Sequence, residues 1–538
     1  MALLGLAAFV YLGLLTQGER LFDNDYDWIA AAQVGWLEIL GRIGMPIPES
    51  WGFQDRPVQV LCFKILHTTF GYSPAPYYAF KALLLAGVAC GIALFCLRTG
   101  LGLRAGLAAA GIFALSGPVF SSALWVSDFE LLAQIFILAA FGLFLALEQQ
   151  DFYRTNRLKF YLYQAGILIC SLLGHRTKGS AKLIPVILLV YLVTYRRNAL
   201  KRYLPLLVLI ALTIVPVFAL LSDPVPPFAP FSEDRSQGWM WRPANLETLS
   251  MLLVGNARLL TGVSGVEPAY SLLGVLCPVL FWTTSGGIGF ILYRRRKIRP
   301  LTPPERAAAI FVAIWLAVVM VSFSAFPRLP LGFMSRYVTG ALAPAGILIA
   351  LVFSRAAAAL PAGWKSRAIP VIALIVLTHG AVNFRYVRDA RETLGQLMIA
   401  YDRARISISE SIRNANVLML DLPFSYNRPL DDGNHYIKRL GRTLNIDLSR
   451  PLYVLVQHGG DAKKIDHLPL VRKIRQALRV LPAKDVAGYR VGIRPVRAFH
   501  GLTDTLYDRW IHRSMNSALA VLYHITLDPM DLQKGIGQ

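Results

Sequence analysis

Charge is scarce in this chain: 16% of its 538 residues are Asp, Glu, Lys or Arg, while 55% are hydrophobic. Soluble domains carry about a quarter charged residues. With a mean hydropathy of +0.48, the composition excludes an ordinary soluble fold and implies a polytopic membrane protein. Cysteine is scarce too. Cys62, Cys90, Cys96, Cys170 and Cys277 stand in or beside apolar stretches, without CxxC spacing or histidine neighbours, so neither a zinc module nor disulfides are expected. No repeat of about 34 residues occurs, the period of a tetratricopeptide array. The first segment, "ALLGLAAFVYLGLLTQ", lacks a basic leader and a small-residue cleavage site, and reads as a retained short anchor rather than a signal peptide. Acids are outnumbered, 32 against 55 Lys and Arg. In a soluble chain the net +23 would suggest nucleic acid. Here the excess sits in short clusters between apolar runs, as membrane topology requires, and no nucleic-acid partner is expected.

A membrane-spanning helix needs about 20 apolar residues, because every backbone amide must be bonded internally where water is absent. Runs of that kind fall at 2–17, 77–97, 104–122, 129–147, 159–174, 179–195, 202–222, 269–293, 306–326, 333–354 and 367–384, about eleven spans by the length criterion. The basic connections Tyr195–Arg202, Tyr293–Arg306 and the Arg355, Lys365, Arg367 stretch fall on one side, joined by Arg98, Arg104, Arg154, Arg157 and Lys159. By the positive-inside rule that side is cytoplasmic. The expected protein is therefore a multi-pass plasma (inner) membrane protein with a cytoplasmic N-terminus. The loops 18–76 and 223–268 and everything after Arg385 lie outside the cell's cytoplasm.

The outer segments differ in character. Loop 18–76 carries Trp28, Trp36 and Trp51 with apolar residues at helical spacing, which predicts helices along the interface. Loop 223–268 is broken by prolines, and its Trp239 and Trp241 suit lipid headgroups. After residue 384 a charged helical pattern runs to about Asn414. Strand-like "NVLMLDLP", "LYVLVQHG" and "GYRVGIRPV" follow, with a helix "LPLVRKIRQALRVL" among them. The expected fold is an α-helical polytopic membrane domain over 1–384 followed by a small extracytoplasmic α/β domain over 385–538.

Five polar patches fall at outer span ends: Asp23, Asp25 and Asp27; "QDRPVQ" (Gln54–Gln59); "WVSDFELLAQ" (Trp125–Gln134); "GHRTKGSAK" (Gly174–Lys182); and "MSRYVTG" (Met334–Gly340). Charge at membrane depth is costly and therefore a functional candidate. Acids opposite cations at a membrane surface suit a reaction in which a hydroxyl loses its proton while an anionic leaving group departs, and a lipid-linked phosphate fits.

The acidic first outer loop, then "DRPVQVLCFKILHTTFGYSPAPYYAFKALLLAGVACGIALF", then "SSALWVSDFELLAQIFILAAFGLFLAL", resembles membrane glycosyltransferases of the GT-C superfamily, particularly relatives of protein O-mannosyltransferases. The resemblance covers roughly residues 18–200 and, more thinly, "SRYVTGALAPAGIL". Asn24-Asp25 or Asp25-Tyr26-Asp27 stands for the superfamily's paired acid. Arg56-Pro57 with Phe70-Gly71 and Tyr77 matches its Arg-Pro step and FG-x-x-P-x-x-Y, and Asp128 matches its second acid. Its Lys-Glu pair appears here as Lys178-Gly179. The resemblance implies transfer of a sugar from a polyprenyl-phosphate donor to a glycan, lipid or protein acceptor outside the cytoplasm, usually with inversion. No other cofactor follows from it, and no metal ligands are assigned; a divalent metal is compatible with the sequence but not required by it.

A carboxylate sheltered between lipid and cavity gains basicity by desolvation, so the expected base is Asp25, with Asp27 the second candidate. The leaving phosphate needs positive charge, from bidentate Arg or a Lys point charge; the candidates are Arg56, Arg176, Lys178 and Arg336. Asp128, His175 and Tyr337 complete the expected substrate-binding set. Plainer roles compete for each: caps of interfacial helices for the aspartates, an N-cap for Asp128, a bend paired with Asp55 for Arg56, and interfacial anchors for Arg176 and Lys178. Among competing functions, a flippase or transporter predicts inverted repeats or mid-depth charges, and neither is evident. An O-antigen ligase or polymerase shares the polytopic layout but has no distinguishing residues here. His458, Asp461 and Asp466 of the tail have no recognised catalytic spacing.

Overall fold

The structure is a computed structural model, described for residues 21, 25, 28, 29, 32, 33, 35–44, 56–116, 119, 122, 123, 126–150, 152–214, 300–324, 339–359, 403–420, 434–437, 449–459, 489–500 and 518–529. The chain divides into two compact units. One comprises Met1–Arg20, Val34–Pro46 and Asp55–Arg388; the other, Leu21–Gln33, Ile47–Gln54 and Asp389–Gln538. The expected spans 2–17, 269–293 and 367–384, the loop 223–268 and the helix at 468–481 lie outside the described residues.

The first unit is helical. Its helices are α1 (Trp36–Gly44), α2 (Pro57–Phe70), α3 (Pro74–Arg98), α4 (Leu103–Ala114), α5 (Glu130–Gln149), the single turn α6 (Phe152–Thr155), α7 (Arg157–His175), α8 (Ile184–Tyr195), α9 (Leu200–Ile214), α10 (Pro303–Ser324) and α11 (Thr339–Ala359). Their starts are written in the sequence. Proline opens α2 and α3 at the position where a helix needs no donor. The Asn156 side chain accepts from Lys159 N–H at 3.0 Å to cap α7. Glu305 closes the first turn of α10 by accepting from Thr302 N–H at 2.7 Å.

Helices α3 and α5 are each long and apolar enough to cross a membrane. The segments Gly179–Tyr195 and Arg197–Thr213 form a further apolar pair, bent by 120°. One expected span is shorter than its apolar run: α4 ends at Ala114, not 122, and Leu115 and Ser116 turn the chain immediately before a Gly-Pro step that cannot continue a helix. In another, 179–195, the first five residues form a 3-10 turn, Gly179–Leu183.

Packing is close where side chains are small. A Cβ on Gly106 would come within 2.9 Å of the Ala93 backbone, so α4 sits directly on α3. An aromatic cluster joins four helices. Phe141 of α5 meets Phe311 and Trp315 of α10 at ring-centroid distances of 4.9 and 5.0 Å, and Phe144 meets Tyr203 of α9 at 5.3 Å. Tyr191 of α8 completes the set, 5.1 Å from Phe311.

The bundle has two distinct polar ends. At one, Glu148 pairs with Arg196 and receives the Tyr191 hydroxyl at 3.4 Å, while Glu305 pairs with Arg355. These are the ends that the basic connections of the sequence mark. The other end, 18 residues back along α5 and therefore about 27 Å away at 1.5 Å per residue, carries the cluster described below.

The second unit contains a five-stranded mixed sheet, built from β1 (Asn416–Leu420), β2 (His435–Ile437), β3 (Leu452–Gly459), β4 (Tyr489–His500) and β5 (Ala518–Pro529), in the order β2-β1-β3-β5-β4. β1 pairs in parallel with β2 and β3, whereas β5 is antiparallel to β3 and β4. Three strands fall where the sequence predicts them; β2 and β5 are additional. Strand β4 runs through Pro495 because it is an edge, where the missing donor faces no partner, and its register shifts there. Residues 403–411 are helical and bury Ala404 and Ile408. Asn434 bridges that helix to β1, accepting from Ala415 N–H at 3.0 Å and donating to Ile412 O at 3.1 Å.

Candidate active site

Four of the polar patches of the sequence meet at one end of the helical unit. The chain reaches this end at the first turn of α2, the start of α5, the α7-to-α8 connection and the first turn of α11. The central contact joins Lys178 Nζ to Asp128 Oδ1 at 2.6 Å, with both residues buried. The same Oδ1 accepts the backbone N–H of Glu130 at 3.3 Å, so Asp128 ties the start of α5 while it holds the lysine. The N-cap position of α5 is Phe129, so Asp128 stands one residue before the cap the sequence reading gave it.

Around this pair the buried polar groups continue. Lys81 of α3 is fully buried; its ammonium donates to the Asp128 backbone carbonyl and lies 5.8 Å from the Phe129 ring centre. Gln59 of α2 donates to the Ser127 carbonyl at 2.6 Å. The backbone N–H of Val58 donates to Arg176 O at 3.2 Å, which fixes the start of α2, immediately after Arg56, against the end of α7. On α5, Gln134 Nε2 donates to Glu130 Oε1 at 3.0 Å. Both of these groups face Gly340 of α11, where a Cβ would lie 3.3 Å from each. Three cations, Lys81, Arg176 and Lys178, and two carboxylates, Asp128 and Glu130, are therefore buried at this end.

An apolar bundle does not bury such charge for stability, since buried ion pairs seldom repay their desolvation. Ionisable groups placed there are a functional signature. The arrangement can present positive charge to an anion while the Asp128 carboxylate holds Lys178 and the Asp128 backbone carbonyl accepts from Lys81.

The expected site residues distribute as follows. Asp128, Arg176 and Lys178 come together, and Arg56 immediately precedes the α2 turn tied to Arg176. His175 is buried and its Nδ1 lies 3.1 Å from Thr213 Oγ1 of α9, a partner within the bundle. Asp25 is buried and belongs to the second unit. Asp27, Arg336 and Tyr337 lie outside the described residues. Among the described residues no group of three or more His, Cys, Asp or Glu side chains could hold a metal ion.

Gln59, Glu130 and Gln134 lie within polar patches read from the sequence but not in the expected set of site residues, and Lys81 lies in neither. Lys81 had a signal: a charge within the apolar run 77–97, where an unpaired ammonium is costly. Glu130 and Gln134 fall one helical turn apart on one face of α5.

No protein-family profile matches the sequence, and no curated protein matches it. Solved structures do. The crystal structure of ArnT from Cupriavidus metallidurans bound to undecaprenyl phosphate aligns over 97% of this chain and 97% of its own, with a TM-score of 0.53 and 14% identity. The apo state of that protein aligns over the same shares at a TM-score of 0.49 and 14% identity. The chain therefore shares its overall fold with the ArnT structure bound to undecaprenyl phosphate.

Proposed function

We propose that the protein is an inner-membrane glycosyltransferase that moves a hexosyl or pentosyl group from a polyprenyl-phosphate donor to an acceptor hydroxyl on the extracytoplasmic face. The acceptor is a glycan, a lipid or a protein. The observation that carries this reading is the buried Lys178–Asp128 pair with its surrounding cations at one end of a GT-C bundle. The neighbour solved with undecaprenyl phosphate supports a lipid-linked donor.

The chemistry follows from charge. The bond between the anomeric carbon and the phosphate oxygen breaks with its electron pair going to oxygen, so negative charge on the phosphate grows in the transition state. Lys178 opposes that charge, with Arg56, Arg176 and Arg336 sharing it; fixed cations in a site closed to water stabilise it more than solvent would. The acceptor oxygen forms the new bond and gives its proton to Asp25, or to Asp27 in its place. His175 and Tyr337 hold donor or acceptor. In this reading the N-terminus is cytoplasmic and residues 385–538 are extracytoplasmic, as the basic connections of the sequence imply.

The test uses the full chain in lipid nanodiscs. Lys178→Met should weaken binding of undecaprenyl phosphate at least tenfold, and unchanged affinity would overturn the phosphate role. With a panel of polyprenyl-phosphate sugars, scored by release of polyprenyl phosphate, Asp25→Asn should abolish transfer while leaving that binding nearly intact. Undiminished release would remove Asp25 as the base.

A further inference from the structure

We infer that Gln59 and Lys81 are positioning residues. Together they clamp the turn 126–129 so that the Asp128 carboxylate, and through it Lys178, is held where a donor phosphate is met. The inference rests on the proposed role of Lys178.

The turn leads into α5, and two of its successive carbonyls, those of Ser127 and Asp128, each accept from a side chain. Each is taken by a side chain from a different helix: Gln59 of α2, 68 positions away, and Lys81 of α3, 47 positions away. Both side chains are fully buried. A buried carbonyl needs a donor, but a neutral amide suffices, as Gln59 demonstrates one residue earlier. An ammonium at Lys81 is costlier to desolvate than a glutamine amide would be, so its charge supplies something a neutral donor would not. What the ammonium adds is a fixed charge at the Asp128 backbone carbonyl, while the Asp128 carboxylate holds Lys178.

Helix α2 braces both halves of the pair. Its Gln59 fixes the turn that presents Asp128, and the neighbouring Val58 N–H fixes the carbonyl of Arg176, two residues before Lys178. The first turn of α2 thus ties the segment carrying Asp128 to the segment carrying Lys178. Asp128 Oδ1 accepts from both Glu130 N–H and Lys178 Nζ, so the turn and the lysine are tied through one oxygen. Movement of either brace would shift the Lys178 ammonium without touching it.

The experiment is a double-mutant cycle on undecaprenyl phosphate binding by the full chain in nanodiscs. Gln59→Leu and Lys81→Met should each weaken binding about tenfold, the scale at which groups that orient a direct ligand act, and Lys81→Arg should restore most of the loss at that position. In the Lys178→Met background the Gln59→Leu effect should vanish, because the brace then has nothing to position. A purely structural role would instead give the same loss in both backgrounds, and that result overturns the inference. Gln59→Leu exchanges one neutral side chain for another, so it carries the test where Lys81→Met does not fold. If Lys178→Met alone binds as the wild type does, the phosphate reading itself fails. If Lys178→Met is weakened while Gln59→Leu and Lys81→Met bind normally, only the positioning role fails.

Discussion

Lys178 and Asp128 stand 50 positions apart and share a 2.6 Å charge-assisted hydrogen bond inside the helical bundle. Neither charge has water to fall back on. Removing one takes from the other its 2.6 Å partner, a change that costs about 3–5 kcal/mol for a buried pair, whereas removing both takes the two charges away together. Asp128→Leu and Lys178→Met should each lower the unfolding temperature of the detergent-solubilised protein strongly. The double variant should recover part of that loss, so strictly additive losses would show that the two charges are not coupled.

Gly340 is the second point at which this end of the bundle has no slack. A methyl group there meets Gln134 Nε2 and Glu130 Oε1 at 3.3 Å each, so Gly340→Ala should be tolerated at small cost. Gly340→Val should lose about 1–3 kcal/mol by overpacking and should lower affinity for undecaprenyl phosphate as the Glu130–Gln134 contact is pushed aside. Equal melting temperatures for valine and alanine would place the helices farther apart than described.

The opposite end provides a control. The Arg196 side chain is 45% exposed but that of Glu148 only 6%, so the pair is asymmetric. Arg196→Ala strands a buried carboxylate and should destabilise more than Glu148→Gln, which merely frees a cation into solvent. Thermal unfolding should rank them in that order. At about 27 Å from the Asp128 end, both should bind undecaprenyl phosphate like the wild type.

The aromatic cluster should dominate the stability of the helical unit. Trp315 is buried and packs edge-on against Phe141 at 5.0 Å. Trp315→Ala is expected to cost about 3–5 kcal/mol through lost contacts and a cavity. Trp315→Phe should cost clearly less, measured by denaturant or thermal unfolding in the same detergent.

Much of the helical unit was legible because its signals are local. An apolar run bounded by Ser73-Pro74 or by Asn156 announces both a helix and its first residue, and α3, α5, α7 and α10 begin within three residues of the runs read from the sequence. The difference at 104–122 has the same origin: hydropathy continues past Ala114, where the helix ends and Leu115 and Ser116 turn. In the sheet, β1, β3 and β4 showed themselves by β-branched and aromatic residues. Strand β2, three residues long, carries too few to register, and β5 was passed over although "ALAVLYHITLDP" has that same composition.

Scarce charge and long apolar runs determined by themselves that the chain folds as membrane helices with polar groups gathered at their ends, because hydrophobicity and capping act over a few residues. Only the tertiary structure decided which of those groups meet. That Gln59 reaches Ser127, that Lys81 reaches Asp128 and that Asp128 holds Lys178 depends on how α2, α3, α5 and α7 pack, and contacts across 47 to 68 positions leave no period or spacing in the sequence.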